Sequence, residues 1–235
     1  MGIIRFSDEE VFGVDSQEYE ILHNAVKNIK GVDGAVVEIG TRRGGSAKLI
    51  IDTLVSMGDT NRSMFCIDPY GNIEIMITNI NQTMHFQTKP EQLQGDPMSK
   101  DVAVNVRLPN WYDNTMRNRI IPSLYYYAYQ NNMNFHFFCL EDTEFFKRYS
   151  DGVPVYQDYK NLCNQYALVF FDGPHDNDAV QREIDFFLPR TTVGSVFIFD
   201  DVWMYNHDKF HNIMLENGWE AVETGAVKIS YKRVR

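Results

Sequence analysis

Two short stretches gather the residue types that move protons and hold cations. The first is "ALVFFDGPHD" (167–176), where five apolar residues lead straight into Asp172, Gly173, Pro174, His175 and Asp176. The second is "FIFDDVW" (197–203), an apolar run that ends in Asp200 and Asp201. A turn accounts for the glycine and the proline, but not for two carboxylates and an imidazole. Neighbouring parallel strands lie about 4.8 Å apart, so if these runs are adjacent strands their terminal acids converge. Clustered carboxylates repel unless a cation or protons compensate. Oxygen-only donors suit Mg2+ or another hard divalent cation, which makes Asp172, Asp200 and Asp201 a candidate metal site. An unperturbed imidazole, with a pKa of about 6.5, can accept a proton at neutral pH, which makes His175, three residues after Asp172, the candidate base. His207, beyond the Asp pair, is the second candidate base.

Such acids act together only if the chain brings them to one edge. Residues 16–30 have apolar positions at 21, 22, 25, 26 and 29, a helical spacing with Ser16 as N-cap and Gly31 as stop. "GAVVEIG" (34–40) reads as a strand, 44–58 as a helix and "SMFCID" (63–68) as a second strand. Further along, helices are expected over 112–132, with a kink at Pro122, over 141–149, 176–189 and 206–218. Strands are expected over 135–140, 167–171 and 194–201, and "WEAVETG" with "AVKISYKR" reads as a closing hairpin.

Strands alternate with helices, and the middle strands are unbroken apolar runs, the pattern of a parallel sheet covered on both faces. The expectation is one α/β domain over 1–235: a doubly wound, seven-stranded, mostly parallel sheet with an antiparallel C-terminal hairpin. Residues 1–33 form its N-terminal helical segment. Residues 69–112, rich in Asn, Gln, Pro and Met with weak periodicity, read as an insertion after strand two that serves as a lid. In such sheets ligands bind at the carboxyl ends of the strands. Acids stand there in each case: Glu38, Asp68, Glu141 with Asp142, Asp172, and Asp200 with Asp201.

Composition narrows the function. A formal charge of −10 argues against a nucleic-acid partner, which needs clustered Lys and Arg. Apolar runs fall short of the roughly 18–20 residues of a membrane span, and the first residues lack a signal-peptide core, so the expected location is the cytoplasm. Cys66, Cys139 and Cys163 have no CxxC spacing and read as small buried residues in a reducing compartment. Self-association is left open.

"VVEIGTRRGGS" (36–46) puts Glu38, Gly40, Gly44 and Gly45 at a strand-to-helix turn, where glycines let a ligand approach the backbone. It is neither a GxGxxG fingerprint nor a Walker loop. With "CIDPYG" (66–71) and "CLEDTEF" (139–145) it resembles the S-adenosylmethionine site of class I methyltransferases over roughly residues 34–202. That resemblance implies that Glu38, Gly40, Thr41, Gly44 and Ser46 border the methionine end of the cofactor. It implies also that Asp68 holds the ribose hydroxyls, that Asp142 meets adenine, and that Asp172 belongs to the cofactor site as well as to the metal.

The paired "DGPHD" and "FIFDDVW" further resemble the metal-dependent O-methyltransferases, among them the catechol enzyme. The wording is closest to the macrocin/mycinamicin sugar enzymes and the cephalosporin-hydroxylase-like group. "DGP" stands where that group often has Asp-Gly-Asp, so one acid is missing. The implied activity is Mg2+-dependent methyl transfer from S-adenosylmethionine to a hydroxyl of a small sugar, polyketide or phenolic acceptor, with His175 as base. Trp203, Tyr205, Trp111 and Tyr112 are candidate walls for that acceptor. Two other readings remain: a metal-independent N- or C-methyltransferase, and a protein that binds S-adenosylhomocysteine (SAH) tightly without turnover.

Overall fold

The computed structural model describes residues 12–13, 16–70, 76–77, 106–107 and 114–235. A sheet of seven strands runs through it in the order β10-β11-β9-β8-β1-β2-β5. These strands are β1 (Ala35–Ile39), β2 (Ser63–Ile67), β5 (Asn134–Phe138), β8 (Tyr166–Phe171), β9 (Val196–Phe199), β10 (Trp219–Thr224) and β11 (Ile229–Arg233). The first five pair in parallel, whereas β11 lies antiparallel to β9 and carries β10 at the edge. The C-terminal hairpin therefore inserts its second strand next to the parallel set.

Strand periodicity explains the layers. Val36, Met64, Cys66, Leu168, Phe170, Val196 and Ile198 face one core, together with helices α1 (Tyr19–Asn28), α2 (Gly45–Ser56) and α3 (Asn114–Gln130). The alternate residues Val37, Ile39, Phe65, Ile67, Val169, Phe171, Phe197 and Phe199 face the other, together with α4 (Asp142–Arg148), α5 (Asn177–Phe187) and α6 (His207–Glu216). Both faces of each central strand are covered, so the strands read as continuous apolar runs. Each fully buried Leu, Ile or Phe contributes about 1.5–3 kcal/mol of transfer free energy.

Several local expectations shift. Helix α1 starts at Tyr19, preceded by Glu18 in the left-handed region (φ 51°), and Ser16 caps nothing. Helix α3 continues through Pro122. Two short pairs stand apart from the main sheet: β3 (Met76–Ile77) with β4 (Val106–Arg107), and β6 (Val153–Tyr156) with β7 (Lys160–Cys163). Most of the expected lid, 69–112, lies outside the described residues. Cys66 is buried as expected, but Cys139 is exposed and Cys163 half-buried, and all are free thiols.

One row of the ladder positions everything that follows. Ile39, Ile67, Phe171 and Phe199 stand level in register across β1, β2, β8 and β9. The next residues, Gly40, Asp68, Asp172 and Asp200, continue it through their backbone N–H groups, to Ile67 at 2.9 Å, Phe138 at 3.1 Å, Ile39 at 3.0 Å and Phe171 at 3.0 Å. Gly40 has φ 87°, and a Cβ there would lie 1.9 Å from the carbonyl oxygen of Asp172. Only glycine permits that approach, on both steric and conformational grounds. Gly40→Ala is therefore expected to lower stability by about 2–4 kcal/mol in urea unfolding. A loss of under about 0.5 kcal/mol would show that the β1 turn and Asp172 separate freely.

Candidate active site

Asp68, Asp172 and Asp200 reach the carboxyl edge because they follow the level row of the sheet. Asp68 is buried at 1% exposure, with Oδ2 accepting from the backbone N–H of Arg42 and Oδ1 from that of Tyr70, both at 2.9 Å. Burial lifts its pKa to about 6, although the backbone donors of Arg42, Tyr70 and Thr41 pull it down. Three backbone donors leave about one of the four lone-pair sites open, so the carboxylate can still accept a ligand hydroxyl. Asp142, the first residue of α4, is buried too, and its Oδ2 has no hydrogen-bond partner. Burial raises its pKa, Glu141 and Asp176 add to the rise, and the Thr143 N–H and Arg182 oppose it. A buried acceptor without a donor is incomplete, and an exocyclic amine would complete it. Asp68 and Asp142 thus fit the ribose and adenine of a nucleoside cofactor.

The glycine turn is more divided than its spacing implies. Glu38 is the fourth residue of β1, set back from the edge and fully buried, and it accepts from the Thr41 hydroxyl at 2.9 Å and the Cys66 thiol at 3.3 Å. Gly44 has φ 74°, but the space its missing side chain leaves is bounded by Phe12, and that of Gly45 by the Gly13 carbonyl. Those two glycines admit the chain's own segment. Ser46 is buried in the first turn of α2, and Thr41 beside it.

The second half of the edge gathers the remaining acids as expected. His175 Nε2 lies 3.8 Å from Asp172 Oδ1 and 3.5 Å from Asp201 Oδ2, with its side chain 17% exposed. Asp176 caps α5 through the N–H groups of Asp178 and Ala179, which fixes the turn bearing His175. Asp201 sits in the left-handed region (φ 45°), and its Oδ1 accepts from the Trp203 indole at 3.2 Å. Trp203 is partly exposed beside the acids, as a wall would be, whereas Tyr205 is buried and donates to the Asp200 carbonyl at 3.0 Å. Trp111 and Tyr112 lie outside the described residues. The second candidate base is corrected: His207 Nε2 is engaged with the Tyr231 hydroxyl at 2.8 Å, and burial, then His211, lowers its pKa to about 4.

The compensating charge was missed. Lys228, fully buried just before β11, places Nζ 2.7 Å from Asp200 Oδ2. The Ser16 hydroxyl donates to the same oxygen at 2.7 Å, and Asp200 Oδ1 accepts from the Asp201 N–H at 2.8 Å. Burial would raise the Asp200 pKa, but Lys228, His175 and Ser16 outweigh it and hold the carboxyl below its ordinary value. Asp172 goes the other way: burial, then the charge of Asp200 and a hydrogen bond to it, pushes its pKa well up. Burial likewise raises Asp201. The charge of Asp200 is thus compensated by an ammonium of the chain itself. Asp172, Asp200 and Asp201 do not fit a divalent ion, because Asp200 is saturated by the protein's own donors. Among the described residues no group of three or more His, Cys, Asp or Glu side chains is arranged to hold a metal.

A family model described as a methyltransferase domain matches residues 37–202, which span this whole edge. The chain belongs to the methyltransferase-domain family. Solved structures of similar fold include the O-methyltransferase NovP, at 15% identity and TM-score 0.54, covering 92% of this chain and 79% of that one. The calicheamicin methyltransferase CalS11 aligns at 12% identity and TM-score 0.56 over the same shares, 92% and 79%. An O-methyltransferase from Bacillus cereus in complex with SAH aligns at 12% identity and TM-score 0.54, covering 97% and 86%. At these identities the likeness is one of fold. No curated protein sequence matches at a significant level. The enzyme is an S-adenosylmethionine-dependent methyltransferase of the class I fold, and among its described residues no helix is long and apolar enough to cross a membrane.

The raised pKa of Asp68 gives a pH test of its place in the site. Ligand hydroxyls bond best to the ionised carboxylate, so cofactor binding releases the proton that burial retains. Calorimetric affinity for SAH should rise from pH 5 to 7 and level off above the apo pKa of about 6. Asp68→Ala should abolish this dependence and cost about 1.5–3 kcal/mol of binding at pH 7. An unchanged affinity would remove Asp68 from the cofactor site.

Proposed function

We propose that this enzyme transfers the methyl group of S-adenosylmethionine to a hydroxyl of a small molecule, with His175 as the general base. The observation that carries the reading is the imidazole itself, partly exposed at the strand edge with Nε2 between Asp172 and Asp201. The wider likeness supports it: NovP is an O-methyltransferase and CalS11 a TDP-rhamnose 3'-O-methyltransferase, so a sugar hydroxyl is within the proposed acceptor class.

The bound cofactor supplies a methyl group already activated by its sulfonium. The chain's part is to hold that group and to take up the proton that the hydroxyl loses. Asp68 and Asp142 would hold the ribose and adenine. Thr41 and Ser46, buried at the glycine turn, would border the methionine end, with Glu38 behind them. The O–H bond of the acceptor breaks as oxygen bonds the methyl carbon, and the proton moves to His175 Nε2. Asp201, whose Oδ2 lies 3.5 Å from Nε2, would favour the imidazolium that forms. Trp203, exposed and bonded through its indole to Asp201 Oδ1 at 3.2 Å, would shield the acceptor oxygen from water. The expected divalent cation is not part of this reading, because the acids do not fit it.

His175→Ala should lower kcat by roughly 10²–10⁴ and leave SAH affinity near wild type. Single-turnover rates at saturating acceptor check this. A rate within about threefold of wild type would assign the proton to solvent.

A further inference from the structure

The residues around Lys228 form a built seat for one ammonium. The Glu18 carboxylate accepts the backbone N–H groups of Ala226, Val227 and Lys228 at 2.7, 2.9 and 2.8 Å. Gly225 makes that possible, since a Cβ there would lie 2.2 Å from Glu18 Oε2. The turn is closed by the Gly225 N–H on the Lys228 carbonyl at 2.7 Å, and Val202, after the Asp pair, donates to the Val227 carbonyl at 3.1 Å. From this frame the lysine side chain runs inward with no exposure, passes the Phe170 ring at 5.3 Å, and ends on Asp200 Oδ2 and Ser16 Oγ. A buried lysine without a counter-ion is strongly destabilising, and so is a buried aspartate without one. Each therefore fixes the other. A divalent ion at Asp200 would have to share a fully desolvated oxygen with that ammonium.

We propose that Lys228 is the resident cation of the acid cluster: its ammonium takes the place of a divalent metal, and this methyltransferase works without one. Lys228 acts as a positioning residue. It holds the Asp200 carboxylate through a 2.7 Å ion pair, and Asp200 in turn anchors the backbone N–H of Asp201 at 2.8 Å, the acid beside His175. The inference deepens the hydroxyl-methylation reading and rests on it only for the transfer step.

The test uses the full chain and Mn2+ as probe, a hard ion that electron paramagnetic resonance counts directly. Wild type should show no site with Kd below about 1 mM, and its SAH affinity should be the same with and without chelator. Lys228→Met leaves Asp200 beside its neighbouring acids without a counter-ion and should gain at least about tenfold in Mn2+ affinity. Adding Asp172→Asn to that variant should remove the gain. Lys228→Arg keeps the charge and should stay metal-free, which preserves the comparison if Lys228→Met does not fold. One Mn2+ per wild-type chain with Kd below about 1 mM, lost in Asp200→Asn, would overturn the proposal. So would a folded Lys228→Met protein that gains no metal. A wild type that binds SAH, holds no Mn2+ and methylates no hydroxyl would remove the acceptor reading and leave the Lys228 assignment standing.

Discussion

The close approach of the β1 turn to the end of β8 is the constraint on which the rest of the site depends. The Gly40 Cα faces the carbonyl of Asp172 with no room for a further carbon. The level register row supplies the alignment, and this contact keeps the two chain ends from splaying as they leave the sheet. The proposed cofactor half of the edge, on β1 and β2, is thereby held against the acid half, on β8 and β9. A methyl donor on one side and a base on the other must stay within an ångström or so of their productive separation. A backbone contact with no adjustable side chain sets such a distance more firmly than any surface ion pair.

The titratable groups sort into two sets. Burial dominates in Asp68, Asp142, Asp172 and Asp201, whose pKa values are raised, whereas Asp200 and Glu18 are lowered by donors the protein itself provides. The first set is incomplete in the free protein and the second is complete. Burial outweighs the available donors in the raised acids, whereas donors of the protein itself outweigh burial in the lowered ones. Asp200 is the instructive case, because its place beside Asp201 in the sequence implies a ligand role and its hydrogen bonds give it a framing one.

What could be read from the residues was what is local. Helix and strand periods, the Asp176 cap and the convergence of Asp172 with Asp200 and Asp201 all follow from short-range pattern and strand spacing. Ser16 looked like a helix cap because it precedes an apolar-periodic run, yet it bonds Asp200, 184 residues away. Lys228 sits in "AVKISYKR" among alternating polar residues, where a lysine ordinarily faces water. Only the antiparallel pairing of β11 with β9 turns it inward. The β6–β7 pair escaped assignment because Lys160–Cys163 is mostly exposed and lacks apolar alternation. The one clue to Lys228 was arithmetic: three acids at one edge called for a positive charge, and a divalent ion was chosen over a residue of the chain.

The Glu18 clamp has a consequence in time. Its three acceptor contacts join positions 208 to 210 residues apart, and the lysine they seat meets Ser16 across 212. On the ribosome, β1, β2, β8 and β9 can be extruded and paired before that turn exists. Until residue 228 emerges, Asp200 has no ammonium to meet. The buried ion pair of the cluster therefore forms only when the C-terminal hairpin docks on β9. Closing so long a loop is slow compared with local helix formation. Seating the clamp and seating the buried lysine are then a single event.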